Sequence, residues 1–478
     1  MSSKTLLFPI IDHKAEMKIE EELLALLKEN KKTNLFQTLS YVLKELAGNA
    51  NKANLKRIHY KLKGLNITDL QDYEKGMSDF KDAINEHYEK YFQNAEALGF
   101  YVKIGIDFQD HIAVISVFNN VPILRAEMLR IQEKFLSARK YASIEEVFTN
   151  VLDTSEGAGF GFLLMILMLK KAGVGENAIK VFSEQEGTRI EIRLPVDILE
   201  SPEEEIISSM MVSEIEKIPQ FPSHILALEK ALSNPNADFK DLAPIIQKDP
   251  SLIADLLRTA NSVMYALPKK VSSIEEAVKF IGFHGIRNLV MTYSAQKLLI
   301  SRYKLDIVKE IMEHSAEVSF YAQEIARIYK LKEYYDELYM GGILHDLGKI
   351  IAQSIRPDIY RNISRICEEK SIPLNILESM TNGYNHSLIG ARLAEKWNFP
   401  PSIVSMIKYH HVPLQSEEGN FKKNAVIYIA NMIAHCRTGQ CNFSEINYES
   451  LQFLDIHYQA DFEKLYNNLT TLFQKQKN

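Results

Sequence analysis

The hydrophobic pattern of this 478-residue chain changes its period near residue 200. Before that point, some segments alternate at period two, as strands do, and others repeat every three to four residues, as helices do. After Ser201 the helical period continues to the end of the chain, and proline residues punctuate it. A chain of this length is too long for one core. The sequence therefore predicts a mixed α/β domain at 1–198 and an all-α domain at 199–478.

Two segments of the first part predict antiparallel hairpins. Apolar residues alternate at 102–108 and continue at 112–114 after a short Gln109-Asp110 turn. The second pair of alternating segments, 179–181 and 188–192, flanks a Glu186-Gly187 turn.

Helical spacing of apolar residues occurs at 35–58, before the first hairpin, and at 163–171, between the two hairpins. This order predicts helices that cover one face of a mostly antiparallel sheet, which is an α/β sandwich.

Charge and composition limit the location and the partners of the chain. The formal net charge is −6, and the Lys and Arg residues are dispersed, which argues against nucleic acid as the main partner. The most apolar run, 160–169, is half of the ~20 residues that cross a bilayer, and no secretory signal opens the chain. The three cysteines lack metal-type spacing and are expected to be ordinary thiols in a reducing compartment. We expect a cytoplasmic protein that does not bind a membrane.

The segment 218–298 contains a series of short motifs in a fixed order. They are Asp249-Pro250, Ala260-Asn261-Ser262 with Tyr265, Ser272-Ser273-Ile274 and Ile281-Gly282. Together they resemble the HDOD family, an HD-related output domain, over about residues 215–412. The resemblance implies an all-α, HD-like fold in a bacterial signalling protein, and a regulatory domain that contacts partner proteins.

Histidines and one aspartate follow these motifs in the order His314, His345-Asp346, His386 and His410-His411. This order is similar to the two-metal pattern of the HD superfamily of metal-dependent phosphohydrolases. Imidazoles with one carboxylate suit iron, manganese or zinc, and a carboxylate can bridge two ions. Lys349 lies one turn after His345, so its amine is a candidate for contacting a substrate phosphate.

Two departures from that pattern weaken a hydrolytic interpretation. Asn431 stands where the HD hydrolases carry their last aspartate, and an amide is a poorer metal ligand than a carboxylate. After His411 the sequence is Val412-Pro413-Leu414, which lacks the Gly-Tyr-Pro of the HD-GYP branch and argues against cyclic-di-GMP hydrolysis.

The first domain carries two motifs that resemble the nucleotide site of histidine-kinase-type ATPases. Glu45, Asn49 and Lys52 can share one face of a helix, as in the N-box of that family. The glycines of the second motif, which precede a helix, suit a phosphate-binding loop: Gly157, Gly159 and Gly161. The resemblance implies a Mg-ATP site.

The third ATPase motif is missing. The adenine-reading Asp-x-Gly-x-Gly of the family is replaced at 118–123 by Phe-Asn-Asn-Val-Pro-Ile, in which Asn119 or Asn120 is at best a partial substitute. His13 has no dimerisation-helix pattern around it. A working histidine kinase is therefore not expected, and the resemblance implies a sensing domain that binds nucleotide weakly or not at all.

Two hypotheses follow for the whole chain. In the first, the ATPase-like domain senses a signal and the HDOD domain passes it to partner proteins, with a metal site retained. In the second, the chain is a metal-dependent HD phosphohydrolase that acts on a phosphoester or nucleotide. The sequence leaves open the partner, the substrate, the oligomeric state and the role of residues 421–478.

Overall fold

The computed structural model of the chain forms two compact units, Met1–Glu204 and Glu205–Asn478. The boundary expected after residue 198 lies within 197–206, outside the described residues. The structure describes residues 2–109, 111–141, 146–147, 160–171, 173–184, 186–196, 207–232, 234, 242, 245–246, 249–261, 269–370, 372, 374–381, 383–439, 446 and 448–477.

The first unit contains a five-stranded antiparallel sheet in the order β1-β2-β3-β5-β4. Its strands are β1 (Ser2–Phe8), β2 (Val102–Gln109), β3 (Ile112–Asn119), β4 (Ile179–Glu184) and β5 (Gly187–Pro195). Both predicted hairpins are confirmed: β2 pairs with β3, and β4 pairs with β5. The apolar residues that alternate along β2 are buried, which is why one face of the sheet packs against helices.

Seven described helices accompany this sheet. They are α1 (His13–Glu29), α2 (Phe36–Lys63), α3 (Leu70–Met77), α4 (Phe80–Glu86), α5 (Tyr88–Ala97), α6 (Arg125–Lys140) and α7 (Phe160–Lys171). The carboxylate of Asp12 caps α1 by accepting from the amide of Ala15 at 2.8 Å. Helix α2 ends at Gly64, whose φ of 66° is the left-handed conformation that glycine adopts at low cost. It packs against β2 and β3.

The described part of the second unit is helical, without a strand, as predicted. Its helices are α8 (Ser209–Lys217), α9 (Ser223–Leu232), α10 (Pro250–Ala260), α11 (Ile274–Arg302), α12 (Leu305–Ile328), α13 (Tyr335–Leu344), α14 (Leu347–Ile355), α15 (Pro357–Lys370), α16 (Leu374–Ser379), α17 (His386–Lys396), α18 (Pro401–Tyr409), α19 (Glu418–Arg437), α20 (Tyr448–Phe453) and α21 (Gln459–Lys477).

Local signals in the sequence explain several of these helix boundaries. The side chain of Asp249 accepts from the amide of Leu252, which caps α10 just before a proline at its first position. Ser273 caps α11 in the same way. Within α11, Gly282 has a φ of 80°, which divides the helix into two segments.

The six helices α12, α13, α14, α17, α18 and α19 pack together and bring the histidine motifs into one place. Helices α14 and α17 approach each other closely because glycines face each other at the contact. A side chain at Gly348 would put its Cβ 1.9 Å from the carbonyl oxygen of His386 and 2.7 Å from the amide nitrogen of Gly390. The bare backbone at Gly348 therefore fixes the distance between Asp346, which precedes α14, and His386, which begins α17.

In the described residues, no helix combines the length and the apolar character needed to cross a membrane.

Cys367 is a free thiol, but Cys436 is disulfide-bonded, so the expectation of ordinary thiols is wrong for Cys436.

Gly348→Ala tests this close helix contact. We expect a loss of unfolding free energy of roughly 1–3 kcal/mol, because the new methyl group overlaps backbone atoms that cannot rotate away. Chemical denaturation of the full chain measures it. The matched control is Gly419→Ala in the first turn of α19, where a Cβ has no neighbour within 4 Å and alanine favours the helix by roughly 0.5–1 kcal/mol. Equal stability of the two variants would contradict the packing described.

Candidate metal centre

Asp346 lies at the centre of a buried cluster in the second unit. It occupies the junction between α13 and α14, and 1% of its surface is exposed. Its Oδ2 lies 3.3 Å from Nε2 of His345 and 3.6 Å from Nε2 of His314. Its Oδ1 lies 3.3 Å from Nε2 of His386 and 3.5 Å from Nε2 of His410. The two carboxylate oxygens therefore face two different groups of imidazoles.

The other ring nitrogens of these histidines are held by acceptors. Nδ1 of His345 lies 2.7 Å from the carbonyl oxygen of Gly342, and Nδ1 of His410 lies 2.7 Å from that of Ile407. A carbonyl oxygen can only accept, so both Nδ1 atoms carry a proton. The Nε2 atoms of both rings point at the cluster, which is the orientation that metal-ligating histidines adopt.

His386 is held by a carboxylate. Its Nδ1 lies 2.5 Å from Oε2 of Glu378 on α16, and its backbone amide donates to the same oxygen at 3.2 Å. Burial lowers the pKa of His386, but the carboxylates of Glu378 and Asp346 together outweigh this effect, and the pKa is raised overall. Glu378 thus fixes both the position and the tautomer of this ring.

Burial and charge set the protonation states of the rest of the cluster. Burial lowers the pKa of His410 to about 3 and holds the pKa of His411 and of His314 well below the ordinary value. Burial alone would raise the pKa of Asp346, but His345 and Lys349 hold it well below its usual range. The cluster therefore combines three imidazoles whose pKa is lowered, His386, whose pKa is raised, and one carboxylate anion.

This arrangement leaves more facing nitrogen and oxygen atoms than protons to bridge them. Nε2 of His386 lies 3.1 Å from Nε2 of His410 and 3.2 Å from Nε2 of His411. A proton on Nε2 of His386 can be donated to only one of these two neighbours at a time. In addition, Nε2 of His345 and Oδ1 of Asp346 are buried without a hydrogen bond. Buried acceptors of this kind are costly unless a cation joins them. The residues fit a transition-metal ion.

The donor atoms separate into two positions that share Asp346. The first position consists of Asp346, His386, His410 and His411, and the second of His314, His345 and Asp346. In each group the donor atoms lie within 4.8 Å of one another. All six predicted histidine and aspartate residues are therefore close together.

Asn431, on α19, adjoins the second position. Its Oδ1 lies 3.0 Å from Nε2 of His314, and its Nδ2 is buried without a hydrogen bond. The amide contributes no charge, so Asp346 is the carboxylate of both positions. The first position therefore has four candidate ligand residues, and the second has three with the neutral amide of Asn431 beside them.

Lys349 is less available than its sequence position suggested. Its amine donates to Oδ2 of Asp346 at 2.7 Å, and both side chains are buried. Burial alone would lower the pKa of Lys349, but Asp346 raises it, so the amine is charged. In this structure the predicted phosphate-contacting group neutralises the central carboxylate.

Three residues in or beside the cluster were not predicted from the sequence. Glu378 gave no signal, because it lies outside the histidine motifs. His435 follows Asn431 by one helical turn, and its ring centroid lies 5.1 Å from that of His314. Arg437 pairs with Glu317, one turn after His314, through two contacts of 2.5 and 2.6 Å, and so fixes α19 against α12. The helical spacing from Asn431 could have revealed His435.

In the first unit, two of the predicted nucleotide-site residues contact each other. Asn49 donates to Oε1 of Glu45 at 2.8 Å, and a Cβ at Gly161 would lie 2.2 Å from Oε2 of Glu45. Helix α2 therefore faces the start of α7 at this point. Lys52 is exposed, and the predicted glycines Gly157 and Gly159 lie outside the described residues.

The candidate adenine contacts serve a structural role. Asn120 accepts from the amide of Tyr101 at 2.8 Å and donates to the carbonyl of Gly99 at 2.7 Å. Asn119 is buried and donates to Oδ1 of Asn54 at 3.3 Å. These contacts fasten the end of β3 to the chain before β2 and to α2, so neither amide is a substitute for the adenine-reading aspartate.

Comparison with known proteins agrees with this architecture. Residues 218–413 match the HDOD domain family. An uncharacterised protein of Treponema pallidum (strain Nichols) is 31% identical over 439 residues, which cover 92% of this chain and 85% of that protein.

Solved structures resemble the chain more distantly. A candidate phosphohydrolase of Shewanella amazonensis SB2B is 24% identical, with 56% of this chain and 96% of that chain covered and a TM-score of 0.44. An HDOD domain protein of unknown function from Geobacter sulfurreducens is 20% identical, with 56% and 93% covered and a TM-score of 0.44. The Treponema protein and this chain belong to one family, and this chain is an HDOD protein whose HDOD domain spans residues 218–413.

Proposed function

We propose that this chain is a signal-transduction protein whose HDOD domain contacts partner proteins and is organised around a buried metal centre. The nitrogen and oxygen atoms that face each other around Asp346 carry the proposal. One or two transition-metal ions would bind these atoms together, whereas the protons in the cluster are too few to bridge every facing pair. Neutral imidazoles and a carboxylate suit iron, manganese or zinc. The metal would cross-link α12, α13, α14, α17 and α18.

The burial of the centre favours a regulatory role for the metal. His345, His386 and His410 have no exposed surface, and the amine of Lys349 is held by Asp346. Metal sites that stabilise a fold are closed, whereas catalytic sites keep a position open for water or substrate. A metal that binds the folded domain and not the unfolded chain raises its stability. Metal occupancy would thereby set the rigidity of the surface that a partner protein contacts.

The alternative is a metal-dependent HD phosphohydrolase. It is favoured by the two adjoining positions that share Asp346, since paired ions stabilise the attacking and leaving oxygens of a phosphoester. His314 has 24% of its side chain open to solvent, and it would border the substrate. In that case Asp346 would hold both ions, and Lys349 would have to leave Asp346 before it could bind a phosphate.

We also propose that the first unit is a degenerate ATPase-like sensing domain. Glu45 and Asn49 on α2 face Gly161 at the start of α7, as the resemblance to histidine-kinase-type ATPases implies. Asn49 would hold magnesium, and Lys52, which is exposed, could reach a phosphate. Because Asn119 and Asn120 are engaged internally, contacts to adenine are missing and the affinity for Mg-ATP should be low.

Asn431→Asp tests the metal centre and its asymmetry. We expect about one transition-metal ion per parent chain, held in the first position, and nearly two in the variant, because a carboxylate adds a charged ligand to the second position. Elemental analysis after metal loading and desalting measures the content. The control is Asn420→Asp, about 16 Å away along the same helix, at 1.5 Å per residue.

Two outcomes would contradict this account. A parent chain without bound metal would remove the metal centre, and an unchanged content in Asn431→Asp would remove Asn431 from the second position. Hydrolysis of bis-(p-nitrophenyl) phosphate decides between the two functions. A metal-loaded parent that turns it over many times would favour the phosphohydrolase, and background rates favour the regulatory role.

Asn49→Ala tests the nucleotide site. Titration with a fluorescent ATP analogue should give weak, magnesium-dependent binding to the full chain, and the variant should lose it because the magnesium ligand is gone. The control is Asn94→Ala, because the amide of Asn94 donates to the carbonyl of Lys90 in its own helix. Binding that persists in Asn49→Ala, or that does not need magnesium, would show that the site is placed wrongly.

A further inference from the structure

The second position of the metal centre has fewer ligand residues than the first. Its donors are His314, His345 and Asp346, and Asp346 also belongs to the first position. The neutral amide of Asn431 stands beside them, with its Oδ1 at 3.0 Å from Nε2 of His314. Closed metal sites of imidazole and thiolate or carboxylate ligands usually have four protein ligands. One further donor would therefore complete the second position.

The imidazole of His435 borders this position. His435 follows Asn431 by four residues on α19, so the two side chains project from the same face of the helix. Its ring centroid lies 5.1 Å from that of His314, whereas the ring of His345 lies 5.5 Å from His314. Two imidazoles on one tetrahedral ion have centroids roughly 5 Å apart, because each nitrogen lies about 2 Å from the metal. The spacing of the rings of His314 and His435 therefore suits two ligands of one ion.

The backbone around His435 is held against α12. Arg437, two residues later, pairs with both carboxylate oxygens of Glu317 at 2.5 and 2.6 Å, and Glu317 is 4% exposed. The hydroxyl of Tyr321 donates to the same carboxylate at 2.8 Å. Glu317 lies one turn after His314. The buried ion pair thus joins the turn of α19 that carries His435 to the turn of α12 that carries His314.

Solvent reaches the metal centre on this side. The side chain of His314 is 24% exposed and His435 is half-buried, whereas His345 and Asp346 are buried. The donor atoms that lie within 4.8 Å of one another do not include a nitrogen of His435, so its ring has to turn about its side-chain bonds to reach the ion. A half-buried ring at the solvent side has room for such a rotation.

We propose that His435 is the fourth protein ligand of the second metal position and closes that position from the solvent side. The inference rests on the proposed metal centre. The position then contains three imidazoles and the shared carboxylate of Asp346, a set that suits zinc or iron. An imidazole one turn along α19 thereby takes the place of the carboxylate that Asn431 lacks. Because His435 adds no negative charge, the second ion is held more weakly than the first and is lost on desalting.

Equilibrium dialysis of the full chain against increasing concentrations of Co²⁺ tests the proposal. We expect the parent to bind one ion tightly and a second more weakly. His435→Ala should weaken the second ion at least about tenfold through loss of a ligand. It should leave the first ion unchanged, which also shows that the variant is folded. The control is His457→Ala, which removes an exposed histidine paired with Asp455 and should bind like the parent.

Two further measurements separate a ligand from a packing residue. His435→Glu supplies a carboxylate at the same place and should restore the second ion. The visible absorption of the second equivalent of Co²⁺ should change in His435→Ala, because water replaces an imidazole. A second ion bound as tightly by His435→Ala as by the parent, or with an unchanged spectrum, would overturn the proposal. A His435→Glu variant that binds no better than His435→Ala would assign the loss to packing and would also overturn it.

The remaining outcomes distinguish this proposal from the metal centre itself. A parent that binds one ion and no second at saturating Co²⁺ would overturn the role of His435 and keep the first position. Loss of both ions in His435→Ala would show that His435 supports the whole cluster, and it would overturn the assignment to the second position. A parent that binds no Co²⁺ would remove the metal centre and this proposal with it.

Discussion

The contact between Asp346 and the surrounding imidazoles determines the arrangement of the HDOD domain. One buried carboxylate meets nitrogens from α12, α17 and α18 and from the end of α13. An unpaired buried carboxylate is costly, and a metal ion bound by Asp346 and these nitrogens together would remove that cost. Lys349 supplies a compensating charge from within the cluster.

The outer contacts hold the donors in position. Carbonyl oxygens of Gly342 and Ile407 and the carboxylate of Glu378 each fix one Nδ1, so three rings turn their Nε2 atoms inwards. The small residues at the helix contacts serve the same end, since Gly348 lets α14 approach the first turn of α17. Orientation by outer contacts is typical of metal sites and adds to the affinity that the ligands provide.

The sequence predicted part of this arrangement. Alternation revealed the two hairpins because their apolar residues face a core, and the order of histidines in the HDOD pattern indicated one cluster. β1 was missed because it is an edge strand with mostly exposed residues, so burial imposes no alternation on it. Glu378 was missed because its contact with His386 depends on how a short helix packs, which no local pattern records. Asn119 and Asn120 were candidate adenine contacts because the sequence does not distinguish an asparagine that bonds to its own chain from one that binds a ligand.

X-ray absorption at the metal edge of the purified full chain tests most directly whether the Asp346 cluster is a metal centre. We expect a bound transition metal with several imidazole nitrogens and a carboxylate oxygen as ligands, and the imidazole rings should give the scattering pattern of histidine. This pattern should be lost in His386→Ala and kept in His457→Ala, since His457 is an exposed histidine paired with Asp455. A metal without imidazole ligands, or an unchanged spectrum in His386→Ala, would contradict the account.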